Sequence, residues 1–251
     1  MTPAKRWLLR AVSVVVPLAA WEIYGRAVNP ILLSRPSAVL AAAGDMIADG
    51  SLPSAFAASV VVLGLGLVAA VVVGVAVGLA AGRSAVVGTL LEFPVTALYA
   101  TPTVALIPLV VLWFGFEVTA KTVVVFLFAV FPVLINTSRG VREVDPELVE
   151  VARSFCATER GLWRDLVLPS ALPYVVTGVR LAIGRALIGV VVAEFYTAIS
   201  GLGNLIVTGA NSFQTARMFV PVVLIALLGV LLTAALEWAE RRLAGWRHTS
   251  N

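Results

Sequence analysis

The stretch AFAASVVVLGLGLVAAVVVGVAVGLAA, at residues 55–81, carries no charged side chain. Its 27 residues exceed the roughly 20 apolar residues that cross about 30 Å of hydrocarbon as a helix. Small residues recur along it at spacings that suit close packing between membrane helices. They are Gly64, Gly66, Gly74 and Gly78, with Gly82 just beyond. We therefore predict that this segment is a transmembrane helix.

The composition of the whole chain agrees with a membrane environment. The 251 residues are 60% hydrophobic and 13% charged, and the mean hydropathy is +1.01. A soluble domain is about 45–50% apolar and about 25% charged. The excess apolar surface requires a lipid bilayer as its solvent, so we predict an all-α integral membrane protein.

Six apolar segments are long enough to count as spans, and they form a single predicted transmembrane domain over residues 1–251. The first is predicted to be an uncleaved anchor, because Glu22, Tyr24 and Arg26 occupy the place of a cleavage site. We expect the prolines of the third span to kink it, and the fourth is short. The predicted spans cover residues 8–24, 55–81, 90–114, 121–135, 172–199 and 219–236.

The distribution of basic residues predicts the orientation. If the N-terminus is inside, 12 of the 18 Lys and Arg residues fall in inside segments. This bias is the positive-inside rule, so both termini are predicted to be cytoplasmic in a multi-pass protein of the cell membrane. The same rule explains the net charge of +4, and nucleic acid is not expected as a partner.

Several kinds of chemistry lack the residues that they need. The chain has one cysteine, Cys156, and one histidine, His248, which lies in the last four residues. We therefore expect no metal site, no cofactor and no catalytic residues. No phosphate-binding loop of the form G-x-x-x-x-G-K-[ST] occurs, so ATP hydrolysis would belong to another chain.

The longest polar stretch lies at residues 136–173 and reads NTSRGVREVDPELVEVARSFCATERGLWRDLVLPSALP. Asp145 followed by Pro146 is a favourable helix start, and an apolar stripe follows it at helical spacing. Thr158 can cap a second short helix, which we expect to end at Leu168-Pro169. The loop at 143–169 is thus predicted to be two amphipathic helices that lie against the spans or a cytoplasmic partner.

The segments Glu150–Ala157 and Leu168-Pro169 resemble the EAA loop of the permease subunits of binding-protein-dependent ABC importers. The rest of the chain from about Leu33 is similar to the branch that imports sulfonates, taurine, nitrate and related solutes. The motifs that carry this second resemblance are Pro108-Leu109, Leu112-Trp113-Phe114-Gly115, Phe131-Pro132, Asn136-Thr137, the sequence LPSALP at 168–173, Gly178-Val179-Arg180, Ala193-Glu194 and Gly201-Leu202-Gly203.

The resemblance implies a type I importer membrane domain and a set of partners. Two copies of this chain would surround one path, two ATP-binding subunits would bind the coupling helices, and an extracytoplasmic binding protein would deliver the solute. The residues implied in ATPase coupling are Glu147, Glu150, Val151, Ala152, Arg153, Phe155, Cys156, Ala157, Leu168 and Pro169.

Two positions depart from the family pattern. Val151 stands in the middle of the EAA triplet, and Cys156 stands where the family has glycine. A side chain at positive φ generally costs about 1 kcal/mol or more. Either the backbone at Cys156 is ordinary, or the two helices of the loop meet at a different angle.

Ionisable side chains inside spans are candidates for function. Arg185 and Glu194 lie nine residues apart in the fifth span, about 13 Å along one helix, so they cannot pair with each other. With Asn136, they are candidates to line the translocation path, where Arg185 would attract an anionic solute. The alternative is structural, with each charge paired to another span, another subunit or backbone carbonyls.

The sequence leaves the solute open. The resemblance favours an aliphatic sulfonate or taurine, and nitrate, bicarbonate and pyrimidine vitamin precursors remain alternatives within the same branch. A membrane enzyme would need a catalytic cluster that the chain lacks. A secondary transporter that works without an ATPase is a more distant alternative, because such transporters commonly show internal repeats.

Overall fold

The computed structural model describes residues 3–197 and 199–243, with side chains for 5–9, 11–197 and 199–242. His248 therefore lies outside the described residues. The described part is helical and contains no β-strand. Its helices are α1 Pro3–Ala27, α2 Pro36–Ala48, α3 Ser51–Arg83, α4 Ala85–Ala100, α5 Ile107–Phe114, α6 Val118–Arg142, α7 Pro146–Ser154, α8 Glu159–Leu162, α9 Leu168–Thr197, α10 Leu202–Asn211 and α11 Thr215–Leu243.

Five of these helical stretches are long and apolar enough to cross a membrane. A sixth is present if α4 and Thr103–Phe114, which contains α5 and is bent from α4 by 88°, make one span. The predicted fold class, an all-α membrane domain with about six spans, is confirmed. The bend agrees with the kink expected from the prolines of the third span, because one of them, Pro102, lies at it. It falls at Thr101 and Pro102, where extended backbone interrupts the helix.

Two helices run further than the sequence indicated. The apolar segment at 121–135 lies within α6, which has 25 residues and continues through Asn136 to Arg142. The expectation that Leu168-Pro169 ends a helix is wrong, because α9 begins there. A π-helical turn at Trp163–Val167 joins α8 to α9, so the chain stays helical from Glu159 to Thr197.

The chain forms two compact units, the first built from residues 1–59 and 198–226. Within this unit α2 begins at Pro36, as the sequence predicted, and the chain turns at Gly50 with a φ of +77°. The ring of Trp21 lies 5.4 Å from that of Phe219. The apolar core of the unit comprises Val39, Ala42, Met46, Leu52, Ala55, Leu202 and Val220.

The second unit comprises residues 60–197 and 227–251, and α6 lies at its centre. A Cβ atom added to any of four glycines of α3 would lie within 3 Å of a side chain on α6, so the two helices touch backbone to side chain. Each contact joins residues 59 apart in sequence. The pairs are Gly66 with Val125, Gly74 with Val133, Gly78 with Thr137, and Gly82 with Val141.

This constant offset means that α3 and α6 run parallel. If both helices cross the bilayer, the chain between them must cross back once, and α4 with α5 is the segment available. The bent pair is therefore best understood as one broken span. On the other side of α6, contacts of Gly140 with Tyr174 and of Gly178 with Asn136 show that α9 runs antiparallel to it.

Candidate coupling loop and intramembrane charges

The loop helix α7 begins as its sequence predicts. The Asp145 carboxylate accepts a hydrogen bond of 2.9 Å from the Glu147 backbone N–H, and Pro146 occupies the first helical position. Such a cap satisfies one of the backbone donors that a helix start leaves unpaired. Glu147 and Glu150 are exposed on this helix.

The backbone at Cys156, just after the end of α7, is not ordinary. Its φ is +55°, so this cysteine adopts the left-handed conformation of a glycine. The Ala157 N–H donates to the Ala152 carbonyl at 3.0 Å, and the Cys156 N–H donates to the Arg153 carbonyl at 2.9 Å. These two bonds define a Schellman motif, which terminates a helix and usually has glycine at the left-handed position.

The second loop helix, α8, also begins at the predicted residue. The Thr158 hydroxyl accepts a hydrogen bond of 3.1 Å from the Gly161 N–H. Arg153 and Glu159 approach to 3.9 Å across the turn, but both side chains are more than half exposed. An exposed pair at this distance adds little stability, so the caps and the Schellman motif define the turn.

The predicted apolar stripe of α7 is divided between two faces. Ala152 packs inward against the buried cluster of the loop, beside Leu162 and Val167. Phe155 is 83% exposed, and Leu148 and Val151 are about half exposed. The described residues leave this outward apolar face uncovered.

The two remaining residues of the candidate coupling set directly follow the π-helical turn. Leu168 is exposed and Pro169 is partly buried, and both belong to the first turn of α9. Arg83, the last residue of α3, stacks over the Trp163 ring at 5.1 Å from its centre. The π-helical turn after α8 thus contacts the end of α3.

Glu143 connects the start of the loop to both long helices. Its carboxylate accepts hydrogen bonds from the Tyr174 hydroxyl of α9 and from the Arg139 guanidinium of α6. The hydrogen bond from Tyr174, followed by that from Arg139, lowers the pKa of Glu143 below its ordinary value. The carboxylate therefore stays charged at neutral pH and holds α6, the loop and α9 together.

Arg185 and Glu194 lie in different environments. The Arg185 side chain is exposed, and its Nη2 atom donates to the Tyr99 hydroxyl at 3.3 Å. The guanidinium carbon lies 5.6 Å from the centre of the Tyr99 ring, within range of a cation–π contact. Tyr99 belongs to the last turn of α4, immediately before the break in the third span.

Glu194 is completely buried, with 0% of its surface exposed, and the Lys121 side chain of α6 is only 3% exposed. The two side chains, on the packed helices α6 and α9, are near enough for a coulombic interaction. Lys121 is thus a candidate for the partner on another span that the structural alternative calls for. The geometry gives Glu194 no surface on which to touch a passing solute.

Asn136 also lies between packed helices. Its amide nitrogen donates to the Pro132 carbonyl at 2.8 Å, within α6. The Asn136 Cβ atom lies close to Gly178 of α9, so this side chain is partly buried at the α6–α9 contact. Of the three path candidates, only Arg185 presents its charged end on an exposed face.

Sequence reasoning missed three partners of the charged residues. Lys121, the first residue of the predicted fourth span, lies buried on α6. The sequence gives no sign that Tyr99 contacts Arg185 or that Glu240 pairs with Arg180, at 3.0 Å. A lysine between apolar residues was the available signal for Lys121, whereas the other two contacts required the packing of the helices.

The architecture defines a multi-pass membrane subunit whose two-helix loop presents an apolar face. Residues 70–245 match the family of binding-protein-dependent transport system inner membrane components. The chain belongs to this family and is the permease subunit of an ABC importer. Permeases of this family work with ATP-binding and solute-binding partners. Among residues 3–197 and 199–243, no group of His, Cys, Asp and Glu side chains could hold a metal ion.

Relatives cover almost the whole chain. It is 35% identical to the aliphatic sulfonates transport permease protein SsuC of Escherichia coli, over 98% of this chain and 95% of that one. It is 32% identical to the taurine transport system permease protein TauC of the same organism, over 87% and 82%. It is 30% identical to the formylaminopyrimidine transport permease protein ThiX of Halalkalibacterium halodurans, over 92% of both.

A solved structure shows the same fold. A chain from the crystal structure of an amino acid ABC transporter with histidines superposes with a TM-score of 0.55. The two chains are 18% identical, and the superposition covers 75% of this chain and 92% of the other. The fold class, a type I importer membrane domain, is thereby confirmed.

Proposed function

We propose that this chain forms the translocation path of an importer for a small anionic solute, with aliphatic sulfonates or taurine as the solute class. The observation that supports an anionic solute is Arg185, whose exposed guanidinium lies about 18 Å from the outer end of α9. A lone cation at that depth is unfavourable in lipid and is found where water or another protein surface meets it. Names of relatives similar over more than four fifths of their length support the sulfonate class.

A second solute class is a neutral pyrimidine precursor, which the similarity to ThiX supports. Nitrate and bicarbonate are further anions within the proposal. Arg185 favours an anion over a neutral base, since a guanidinium forms its strongest hydrogen bonds with an oppositely charged partner. We therefore place sulfonates first.

We further propose that α7 and α8 couple the path to separate ATP-binding subunits. Phe155, Leu148 and Val151 form an exposed apolar face on a loop that its caps and Glu143 hold in place. Exposed apolar surface of this kind marks a contact with another protein. The coupling set proposed from the sequence lies on this loop and the adjoining turn of α9.

The proposed assembly contains two copies of this chain, two ATP-binding subunits and an extracytoplasmic binding protein. The parallel α3 and α6 favour six crossings, which would put both termini on one side of the membrane, the cytoplasmic side by the positive-inside rule. The spans proposed from the sequence form one transmembrane domain. ATP hydrolysis would reside in the partner chains.

Growth on a sulfonate tests the solute class. A strain without this gene is grown with taurine or ethanesulfonate as its sole sulfur source, and with sulfate as control. Loss of growth on the sulfonates alone supports the proposal. Normal growth, in a strain with no second sulfonate importer, would exclude sulfonates and move the pyrimidine precursor and nitrate to the front.

A pair of aromatic substitutions tests the coupling face. Phe155→Ala is expected to release the ATP-binding subunit during purification and to abolish uptake without unfolding, because this ring is 83% exposed. Phe213→Ala is the control, since Phe213 is also a strongly exposed phenylalanine, at 72%, but lies outside the loop. Glu150→Lys should act like Phe155→Ala. Recovery of the ATPase with both loop variants would contradict the proposed face.

A further inference from the structure

The broken third span places irregular backbone at membrane depth. After α4 ends at Ala100, Thr101 and Pro102 are extended, and residues 97–100 are all exposed. The last carbonyls of a helix have no intrahelical partner, and proline has no N–H to offer. Such backbone is tolerated inside a membrane only where protein covers it or where it lines a water-filled cavity.

The exposed cation of α9 lies at the same place. Arg185 reaches Tyr99, one residue before the end of α4, and the ring of Tyr99 leans on Phe131 with 6.1 Å between ring centres. An exposed guanidinium and an exposed helix break therefore lie together at the middle of the spans. Each alone requires water or a covering surface, and together they indicate one hydrated site.

The hydrogen bonding of Tyr99 leaves it able to bind an anion. Its hydroxyl oxygen accepts the bond from Arg185 at 3.3 Å, so the phenolic proton remains available for donation. The guanidinium has five N–H donors in a planar fork, of which this contact uses one. An oxyanion can thus accept from both groups at once.

We propose that Arg185 and Tyr99, at the break between α4 and α5, form a transient solute site that donates to the oxygen atoms of one sulfonate-type anion. Tyr99 has a double role: its ring positions the guanidinium and its hydroxyl contacts the solute. This site rests on the proposed function, because it supplies the point in the path where the anion leaves bulk water. Glu194 is not part of it.

Uptake by the complete transporter tests the hydroxyl. The full assembly, with ATPase and binding protein, is reconstituted in vesicles, and labelled taurine uptake and ATP hydrolysis are measured on the same preparation. Tyr99→Phe keeps the ring but removes the donor. We expect taurine moved per ATP to fall about tenfold, the effect of losing a hydrogen bond to a charged group.

The matched control is Tyr196→Phe, an exposed tyrosine of the same helix as Arg185. It should retain the wild-type ratio of taurine to ATP, and Arg185→Lys should lie between wild type and Arg185→Gln. A Tyr99→Phe transporter with the wild-type ratio would overturn the role of the hydroxyl. Absence of taurine uptake in wild type would instead contradict the proposed solute class, and a second measurement then decides the site.

Thiol labelling decides the site without knowledge of the solute. Cys156 is the one cysteine of the chain, so Cys156→Ser gives a thiol-free background. Ala100→Cys then reports on the break. Its labelling rates with sulfonatoethyl and trimethylammonioethyl methanethiosulfonate are each divided by the rate with a small free thiol.

We expect at least a fivefold preference for the anionic reagent at Ala100→Cys, and loss of that preference when Arg185→Gln is added. Phe93→Cys, two turns earlier on α4 and 81% exposed, is the control and should be unaffected by Arg185→Gln. A preference that is absent, or that survives Arg185→Gln, would overturn the site.

Discussion

The two faces of α9 hold their charged residues in opposite environments. The inward face packs against α6, and the outward face is exposed. The inward face buries Glu194 completely, within coulombic range of Lys121 on the neighbouring helix α6. The outward face carries Arg185, which is exposed and contacts the aromatic ring and hydroxyl of Tyr99 at the end of α4. Both are single ionisable residues of one membrane helix, nine residues apart.

The difference shows that the presence of an ionisable residue inside a span does not by itself decide whether its role is structural or functional. A buried pair costs desolvation, and its removal is felt in stability when only one partner is lost. An exposed cation adds little stability, and it persists in a membrane helix only where something polar meets it. Burial and the partner, rather than depth along the sequence, separate the two cases.

The largest expected effect comes from breaking the buried pair. Lys121→Met leaves the Glu194 carboxylate buried without its counter-charge, and we expect the free energy of unfolding to fall by about 3–5 kcal/mol. Chemical unfolding of the purified permease in detergent measures this loss.

The double substitution Lys121→Met with Glu194→Met is its control. Removing both charges should restore most of the stability, because two apolar side chains replace a pair that was costly to desolvate. If the double variant instead loses the sum of the two single effects, the pairing of Lys121 with Glu194 would be refuted.

The inward and outward faces of α9 can also be compared by packing alone, at two of its glycines. A Cβ at Gly178 would lie 3.0 Å from the Pro132 carbonyl oxygen and 3.1 Å from the Val133 Cα, whereas a Cβ at Gly184 would meet nothing within 4 Å. We expect Gly178→Ala to lower stability by about 1–3 kcal/mol through overpacking. Gly184→Ala should be neutral or stabilising by up to about 1 kcal/mol, since alanine favours helix. Equal melting temperatures for the two variants would contradict the inward packing of Gly178.

Much of this fold follows from local sequence. The long apolar runs predict the spans, and Asp145-Pro146 and Thr158 predict the two loop helices, because caps depend on neighbouring residues. Because Asn136 and Thr137 are polar, the predicted apolar span ends before them and does not include the last turns of α6. Thr137 is buried there because Gly78 of α3 leaves room for it, and a contact 59 residues away has no local signal.

The candidate site also has features that local sequence predicts and features that depend on distant contacts. The coupling loop could be predicted because its residues are contiguous, although the left-handed backbone at Cys156 could not. Arg185 could be predicted as an unusual charge, but its partner Tyr99 lies 86 residues away. Such pairings depend on which helices pack together, which composition and periodicity do not determine.

The loop can be compared with both faces of α9, because the effect expected there comes from backbone strain and not from charge or packing. Cys156→Gly removes a Cβ from a position with a φ of +55°. We expect a gain of up to about 1 kcal/mol, the difference between relieved strain and the greater freedom of glycine in the unfolded chain. A thermal melt of the purified permease measures it, and a loss of stability would mean that the Cys156 side chain makes a contact worth more than the strain.

A smaller effect is expected from the outward charge. Arg185→Gln should change the free energy of unfolding by about 0.5 kcal/mol or less, since the side chain is exposed and its cation–π contact is weak there. Together with a strong loss of transport, this result would separate function from stability on the outward face. A loss as large as that of Lys121→Met would show that Arg185 is structural.

The smallest effect concerns the end of α9 where the inward face meets the loop. The hydrogen bond from Tyr174 is the main cause of the lowered pKa of Glu143, with Arg139 second. A carboxylate whose pKa is lower in the folded state stabilises that state above the ordinary pKa of about 4.5, and this contribution is lost as the pH falls through the lowered value. Tyr174→Phe brings the two pKa values closer, so its melting temperature should fall less than that of wild type between pH 6 and pH 4. Glu143→Gln, which has no proton to gain, is the control for other titrating groups; if Tyr174→Phe keeps the full wild-type acid dependence, the hydroxyl does not govern this carboxylate.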